Sequence, residues 1–406
     1  MNIYIKLAWK NLWRNKKRTL IAAASVFFAV ILALLMRSMQ TGYYDYMIYA
    51  SVRMYTGYIQ IHGKDYWGKR SLDESMMLDE AHLEKLKNIP GVKLVVPRFE
   101  TFSLISHGKK TKVVQITGVN PQLEDQLIDM KKKIVNGEFL KDSSSGIILA
   151  KGLAEILKVD VGDSVVIYGQ GYHGVTAAAQ IPITGIIKFT LPELDKSFTY
   201  LSISYAQWLF SAPERLTSLS VMIDNPKELD RIKSEIQNVF DGNYEVMDWK
   251  ELSPELVQSI QIDNASGIIM LGILYIVIAF GIFGTIMMMT AERVKEFGIL
   301  ISIGMKKWKL GLVSVLETLF ISFTGVFAGV LISIPILLYL KDNPIPLTGE
   351  YADAIIKWGL EPILPFAIYP GMFFAQIWTV LAIAMVSALY PVLFIRKLKP
   401  VEALRG

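Results

Sequence analysis

Cysteine is absent from the 406 residues, which excludes disulfides, thiolate metal sites and cysteine nucleophiles. Histidine is scarce. His62, His82, His107 and His173 are scattered, with no HExxH or HxH pairing, so no metal site is expected. No GxxxxGK[ST] phosphate loop occurs. The string GYIQIHGKD fails that pattern twice: five residues separate Gly57 from Gly63, and Asp65 stands where Ser or Thr must hold magnesium. No nucleophile, base and oxyanion donor can be assembled, which argues against an enzyme. Charge is also sparse, at 19%, while hydrophobic residues reach 52% and the mean hydropathy is +0.38. Such a chain is too apolar for an ordinary soluble protein and too charged to lie wholly in a membrane. The expectation is a few spans plus a sizeable water-exposed domain.

Four apolar runs are long enough to cross a bilayer, which takes about 20 helical residues. They are Leu20 to Met39, Gly267 to Met289, Leu310 to Leu340 and Met372 to Ile395. The first is too long for a signal-peptide core, and no small-x-small cleavage site follows it in MRSMQTGYYDY, so it reads as a retained span. The third would extend roughly 46 Å as a helix, against about 30 Å of hydrocarbon, so its outer end is expected to project. Pro335 is expected to kink it, and Arg37 to snorkel from the outer end of the first span.

Acids are nearly missing from the short flanks of these runs. Up to Arg18 there are six basic residues (Lys6, Lys10, Arg14, Lys16, Lys17, Arg18) and no acid. Thr290 to Gly311 holds five basic residues and two acids, and the tail from Ile395 holds four and one. The remaining residues are net acidic. By the positive-inside rule both termini and the 290–311 segment belong in the cytoplasm and the large domain outside. The basic excess is therefore topological, and no nucleic acid is expected as a partner.

The outer region carries two similar passages. YIQIHG alternates as a strand, LDEAHLEKLKNIPGV reads as a helix with Leu83 and Leu86 inward, and KLVVPRF returns as a strand. Later LSVMID is a strand, Asn225-Pro226 opens a helix, and Leu229, Ile232, Ile236, Val239 and Phe240 line one side of it before YEVMDW returns. Between these two β-α-β units lie short strands and turns. The fold class expected is an α+β membrane protein: four transmembrane helices, with a large extracytoplasmic α+β domain inserted between the first two. The layout is an interfacial helix at 1–18, spans at 19–40, 265–289, 310–340 and 372–395, and an outer domain at 41–264 with a strand-rich subdomain at about 100–215. A cytoplasmic segment at 290–309, an outer loop at 341–371 and a cytoplasmic tail at 396–406 complete it.

Several residues stand out. Ile5, Ala8, Trp9, Leu12 and Trp13 line one side of the first helix with cations opposite, the pattern of a helix in the membrane interface in contact with lipid. In the 290–311 segment Val294, Phe297 and Ile301 share one face, while Glu292, Lys295 and Glu296 share the other. A plain loop needs no such face, so a partner is expected against the charged side. Glu317 lies inside the third span, where a carboxylate is costly unless paired or solvated. Gly325 and Gly329 make a G-x-x-x-G that permits close helix approach. Clustered methionines fit either a pliable cavity or ordinary packing.

WKNLWRNKKRTL at the start, ERVKEFGILISIGMKKWKL between spans two and three, and PVEALRG at the end resemble the FtsX-like ABC permease family, which includes macrolide-efflux and lipoprotein-releasing permeases. TGYIQIHGKDYW, GIILAKGLAEILKVDVGD and LEPILP look closest to the lipoprotein-releasing branch. The resemblance implies that the segment between spans two and three is a coupling helix seated on a separate ATPase. Glu292, Arg293, Glu296, Gly298 and Gly304 would be its signature residues. Trp9, Asn11, Leu12, Arg14 and Arg18 would mark the interfacial helix, and Glu317 a shared structural or coupling element. A substrate cavity would be lined by Phe27, Phe28, Met36 and Met39. The chain itself would hold no cofactor, with ATP and magnesium bound by an ATPase homodimer. A second permease, identical or related, and a periplasmic lipoprotein carrier would be further partners. The function implied is mechanotransmission from ATP hydrolysis to the outer domain, extracting lipoproteins or other hydrophobic substrates from the outer leaflet of the cytoplasmic membrane. A regulator of a cell-wall hydrolase and an efflux permease are the alternatives.

Overall fold

The computed structural model describes residues 2–399 except 15, 143, 190, 241, 358 and 359. It divides into two compact units, one made of Met1–Tyr46, Ser259–Pro346 and Ile363–Gly406, the other of Met47–Gln258 and Leu347–Pro362.

Among the described residues, four helices are long and apolar enough to cross a membrane: Thr19–Ser51, Pro254–Glu292, Lys307–Asp342 and Pro370–Lys397, here spans one to four. The helices differ in places from the sequence-based bounds. The first helix is described over Asn2–Arg14 and helix is described again from Lys16, while residues 1 and 15 of the expected 1–18 helix lie outside the described residues. The Thr19 hydroxyl donates to the Leu12 carbonyl at 3.0 Å. Span two begins at Pro254, well before 265, because a proline at the first helical position opens a helix without losing a bond. Span three runs unbroken through Pro335. Span four, by contrast, is two helices, Pro370–Ser387 and Leu389–Lys397. Pro391 explains the break: it has no N–H, and its ring crowds the carbonyl four residues back.

The spans share an apolar core that includes Val26, Val30 and Leu34 of span one, Ile278 and Ile282 of span two, Val326 of span three and Val380 of span four. Span one crosses span three at the two glycines. A Cβ on Gly325 would lie 2.6 Å from the Ala23 carbonyl oxygen, and one on Gly329 3.0 Å from Val30 Cβ. The Arg37 guanidinium donates to Gln40 at 2.8 Å and to Asn264 of span two at 3.0 Å.

In the second unit ten strands form one sheet among the described residues. They are β1 (Ile59–Gly63), β2 (Val92–His107), β3 (Lys110–Val119), β4 (Ile134–Gly137), β5 (Ile147–Ala150), β6 (Ser164–Gln170), β7 (Thr176–Ile187), β8 (Phe198–Ser202), β9 (Ser218–Ile223) and β10 (Tyr244–Asp248). The order β10-β1-β9-β2 interleaves the two β-α-β units into a split β-α-β arrangement. Its helices, Glu80–Lys87 and Leu229–Val239, pack Leu86, Ile232 and Ile236 onto Ile59, Ile61, Leu219 and Val221. Asn225 caps the entry to the second helix by accepting from the Lys227 N–H.

The strand-rich middle closes on itself. β2 pairs β3, β3 pairs β8, β8 pairs β5, β5 pairs β7, β7 pairs β6, and β6 returns to β2. The interior is filled by alternate residues such as Ile105, Val114, Ile116, Val165, Ile167 and Ile181. β2 belongs to both halves: its start pairs β9, and its end pairs β6. Where it passes between them, Arg98 makes a fully buried bidentate pair with Glu124 of the helix Pro121–Ile128, at 2.6 and 3.0 Å.

Candidate functional site

The segment between spans two and three forms a short helix, Val294–Ser302. A turn from Thr290 to Arg293 separates it from span two. Phe297 is buried against Leu310 and Ile395, with Leu300, Ile301 and Met305 packed beside them. The far end is closed by Gly304, whose φ of +101° is left-handed. Gly304 N–H donates to Ile301 O and Met305 N–H to Leu300 O, both at 3.0 Å, the paired bonds of a Schellman stop. Gly304 is thus a backbone residue of the segment, and Gly298 is buried within it.

The charges do not all face outward. Arg293 is buried and turns back to Glu317, its Nη1 bonded to Oε2. The other Glu317 oxygen accepts from Asn11 Nδ2 at 2.6 Å. Arg293 Nε donates to Glu296 at 3.2 Å, and Glu296 also accepts from Arg14. One network therefore joins the first helix, the short helix and span three through Asn11, Glu317, Arg293, Glu296 and Arg14. Burial pushes the Glu296 carboxyl up, but the bonds from Arg14 and Arg293 outweigh it and hold the group below its ordinary value. A cavity of about 20 Å³ beside Arg293, Glu317, Thr290 and Ser314 has room for one water.

The outward surface differs from the purely charged face expected. Glu292 and Lys295 are exposed, but so are Ile299, Ile303 and Trp308. The helix presents a mixed face because Phe297, Leu300 and Ile301 fill the inner contact while Ile299 is exposed. In the first helix Ala8 and Leu12 are buried, and Leu12 packs with Ala22 and Ile321. Trp9 meets Phe320 of span three edge-on at 5.8 Å, while Trp13 and Ile5 are exposed. The Arg18 side chain and the PVEALRG tail lie outside the described residues.

The four residues expected to line a cavity differ in burial. Phe28 is exposed, Phe27 is half-buried beside it, Met36 is half-buried, and Met39 packs into the core between the spans. An apolar groove of about 650 Å³ lies along spans three and four, lined by Phe320, Phe323, Trp378 and Met385 among others. Among the described residues no three His, Asp or Glu side chains converge as a metal site.

Four candidate spans, a strand-and-helix domain inserted between the first two, and a pinned short helix between the second and third define a multi-pass membrane permease. Residues 19–239 match the MacB-like periplasmic core domain, and residues 268–400 match the FtsX-like permease C-terminal domain. The chain belongs to this family of ABC transporter permeases with a periplasmic domain. It is similar to the lipoprotein-releasing system transmembrane protein LolE of Haemophilus influenzae, 22% identical over 80% of each chain. It is also similar to an uncharacterized ABC transporter permease of Methanocaldococcus jannaschii, 22% identical over 99% of this chain and 97% of the other. Among solved structures, the extracellular domain of the ABC-type transporter YknZ from Gram-positive bacteria covers 47% of this chain and 99% of its own, at 17% identity and a TM-score of 0.35. The relatives are permease subunits, not enzymes in themselves.

Proposed function

We propose that this chain is the permease subunit that converts ATP hydrolysis by a separate ATPase into movement of its periplasmic domain, to extract lipoproteins or similar lipid-anchored substrates. The observation that carries the reading is the Val294–Ser302 helix: its inner side is fixed through Arg293 to Glu317 of span three, and its outer side offers Ile299, Ile303, Glu292 and Lys295. A push on that helix reaches span three and the first helix directly. Spans one and two continue as helix to Ser51 and from Pro254, so either can act as a lever. The lipoprotein substrate rests on the likeness to LolE. ATP and magnesium are assigned to the ATPase homodimer. The permease pairs with a second one, identical or related, and hands its substrate to a periplasmic carrier. Both termini and the short helix are placed in the cytoplasm and the spans in the inner membrane, on the charge asymmetry of the flanks.

The test is affinity purification of the detergent-solubilised chain, with mass spectrometry of bound proteins and lipids. An ATPase with acylated lipoproteins is the expected result. Glu292→Lys with Ile303→Asp should reduce ATPase recovery more than tenfold. Glu296 is a poorer probe, because changing it also breaks the internal network. Recovery of no ATPase overturns the reading; an ATPase with a wall hydrolase or an efflux adaptor, and no lipoprotein, overturns the substrate.

A further inference from the structure

The outer ends of spans one and two are joined by polar side chains rather than by apolar packing. Arg37 of span one donates to Asn264 Oδ1 of span two at 3.0 Å. Gln40 Nε2 donates to the Asp263 carbonyl at 3.2 Å, and Tyr44 donates to Asp263 Oδ2 at 2.6 Å. Gly267 makes room for this contact: a Cβ there would lie 1.9 Å from Gln40 Nε2. Any larger residue would push the amide out. Asp263 is exposed, and Arg37, Tyr44 and Asn264 are only half-buried, so water can replace each partner when the helices part.

The two helices are held very differently on their other sides. Span one is anchored to the stretch that leads into span four. Ser38 Oγ donates to the Ala367 carbonyl at 2.7 Å, the Ala367 N–H donates back to the Ser38 carbonyl at 3.0 Å, and a Cβ on Gly42 would lie 2.6 Å from the Pro365 carbonyl oxygen. That is backbone against backbone. Span two has the smallest buried share of the four spans. Ile268, Ile269, Met270, Ile273, Ile276 and Val277 are all exposed. Below the outer contact its next polar tie is Tyr275, whose hydroxyl donates to Gln376 of span four at 2.6 Å.

We propose that the Arg37, Gln40, Tyr44, Asp263 and Asn264 cluster is a releasable latch, and that the outer end of span two swings away from a fixed span one during the cycle, pivoting near Tyr275. The inference rests on the transport reading above. It adds which helix moves, which stays, and which bonds are broken. Polar bonds between membrane helices suit this role, since they are directional, individually modest and exchangeable with water or with the polar groups of a substrate.

The native chain has no cysteine, so introduced pairs report cleanly. Gln40→Cys with Gly267→Cys would span the latch, and Ser38→Cys with Ala367→Cys would span the anchored side. Each pair is oxidised in the full complex with its ATPase in nanodiscs, without nucleotide and after trapping with ADP and vanadate. The latch pair should cross-link at least fivefold less in the trapped state, while the anchor pair keeps its yield. Tyr44→Cys with Asp263→Cys replaces the first latch pair if that variant does not assemble. In the cysteine-pair background, Asn264→Ala should lower latch cross-linking even without nucleotide. Equal latch yields in both states, with an ATPase that binds and turns over, overturn the latch and leave the transport reading standing. Failure of any ATPase to bind the wild-type chain overturns both.

Discussion

Glu317→Gln should destabilise the membrane unit far more than the loss of one charge on a surface would. Glu317 and Arg293 expose only 6% and 10% of their side chains. The amide keeps the volume of the carboxyl and a bond to Asn11, so packing is held constant and only the charge is removed. Removing one partner of a buried ion pair costs about 3–5 kcal/mol, because the other charge stays buried and uncompensated. Arg293 keeps its bond to Glu296, so the lower end applies. A loss of about 3 kcal/mol is a factor of roughly 150 in the folded ratio. The assay is tryptophan fluorescence during detergent-denaturant titration of the purified chain. Arg293→Met combined with Glu317→Met should recover most of the loss, since both charges then leave together. A Glu317→Gln protein within about 0.5 kcal/mol of wild type, the ordinary scatter of surface changes, would refute the reasoning.

Gly325→Ala should cost about 1–3 kcal/mol by overpacking. Gly329→Ala should cost less, and Gly284→Ala, where nothing lies within 4 Å, almost nothing; the ranking is read from thermal stability in detergent. Gly304→Ala should strain the left-handed stop by about 1–2 kcal/mol and reduce ATPase recovery without unfolding the spans, as judged by size-exclusion profile and circular dichroism. Burial pushes the His62 imidazole down to about 4, further than the Thr217 carbonyl holds it up, and Arg70 adds to the depression. The unfolded chain therefore binds the extra proton between about pH 6.5 and 4, and stability falls by roughly 3 kcal/mol as pH drops through that window. His62→Phe should flatten that slope in the melting temperature.

Much of this architecture is legible in the sequence because the signals are local. Apolar runs marked the spans, a period-2 stretch marked β1, and Asn225-Pro226 marked a helix start. The closure of β2 to β8 into a ring was not legible, since pairing between β2 and β6 joins residues about sixty apart and leaves no periodicity behind. The interleaving of the two β-α-β units was hidden for the same reason. Within the site, the residue types were visible but their partners were not. Glu317 stood out as costly, yet only the folded chain brings Asn11 and Arg293 to it, from 306 and 24 residues away. The helical wheel of the short helix put Phe297 and Ile301 inside and Glu292 and Lys295 outside, as they lie, but it did not place Ile299, which is exposed. Arg98 and Glu124 gave no signal, because a charged residue on a strand and one on a helix look solvent-facing until they meet.

The strand shared by both halves of the periplasmic unit has a mechanical consequence. β2 runs from Val92 to His107, roughly 50 Å at about 3.3 Å per residue. A hinge needs a break in regular structure, and β2 crosses between these halves as one continuous strand, paired with β9 up to Arg98 and with β3 from Arg98 on. A pull along that strand loads the β9 ladder on one side of Arg98 and the β3 ladder on the other in shear. The unit is therefore stiff along the strand's own axis, and a displacement entering at one end is delivered to the ring at the other with little lost to bending.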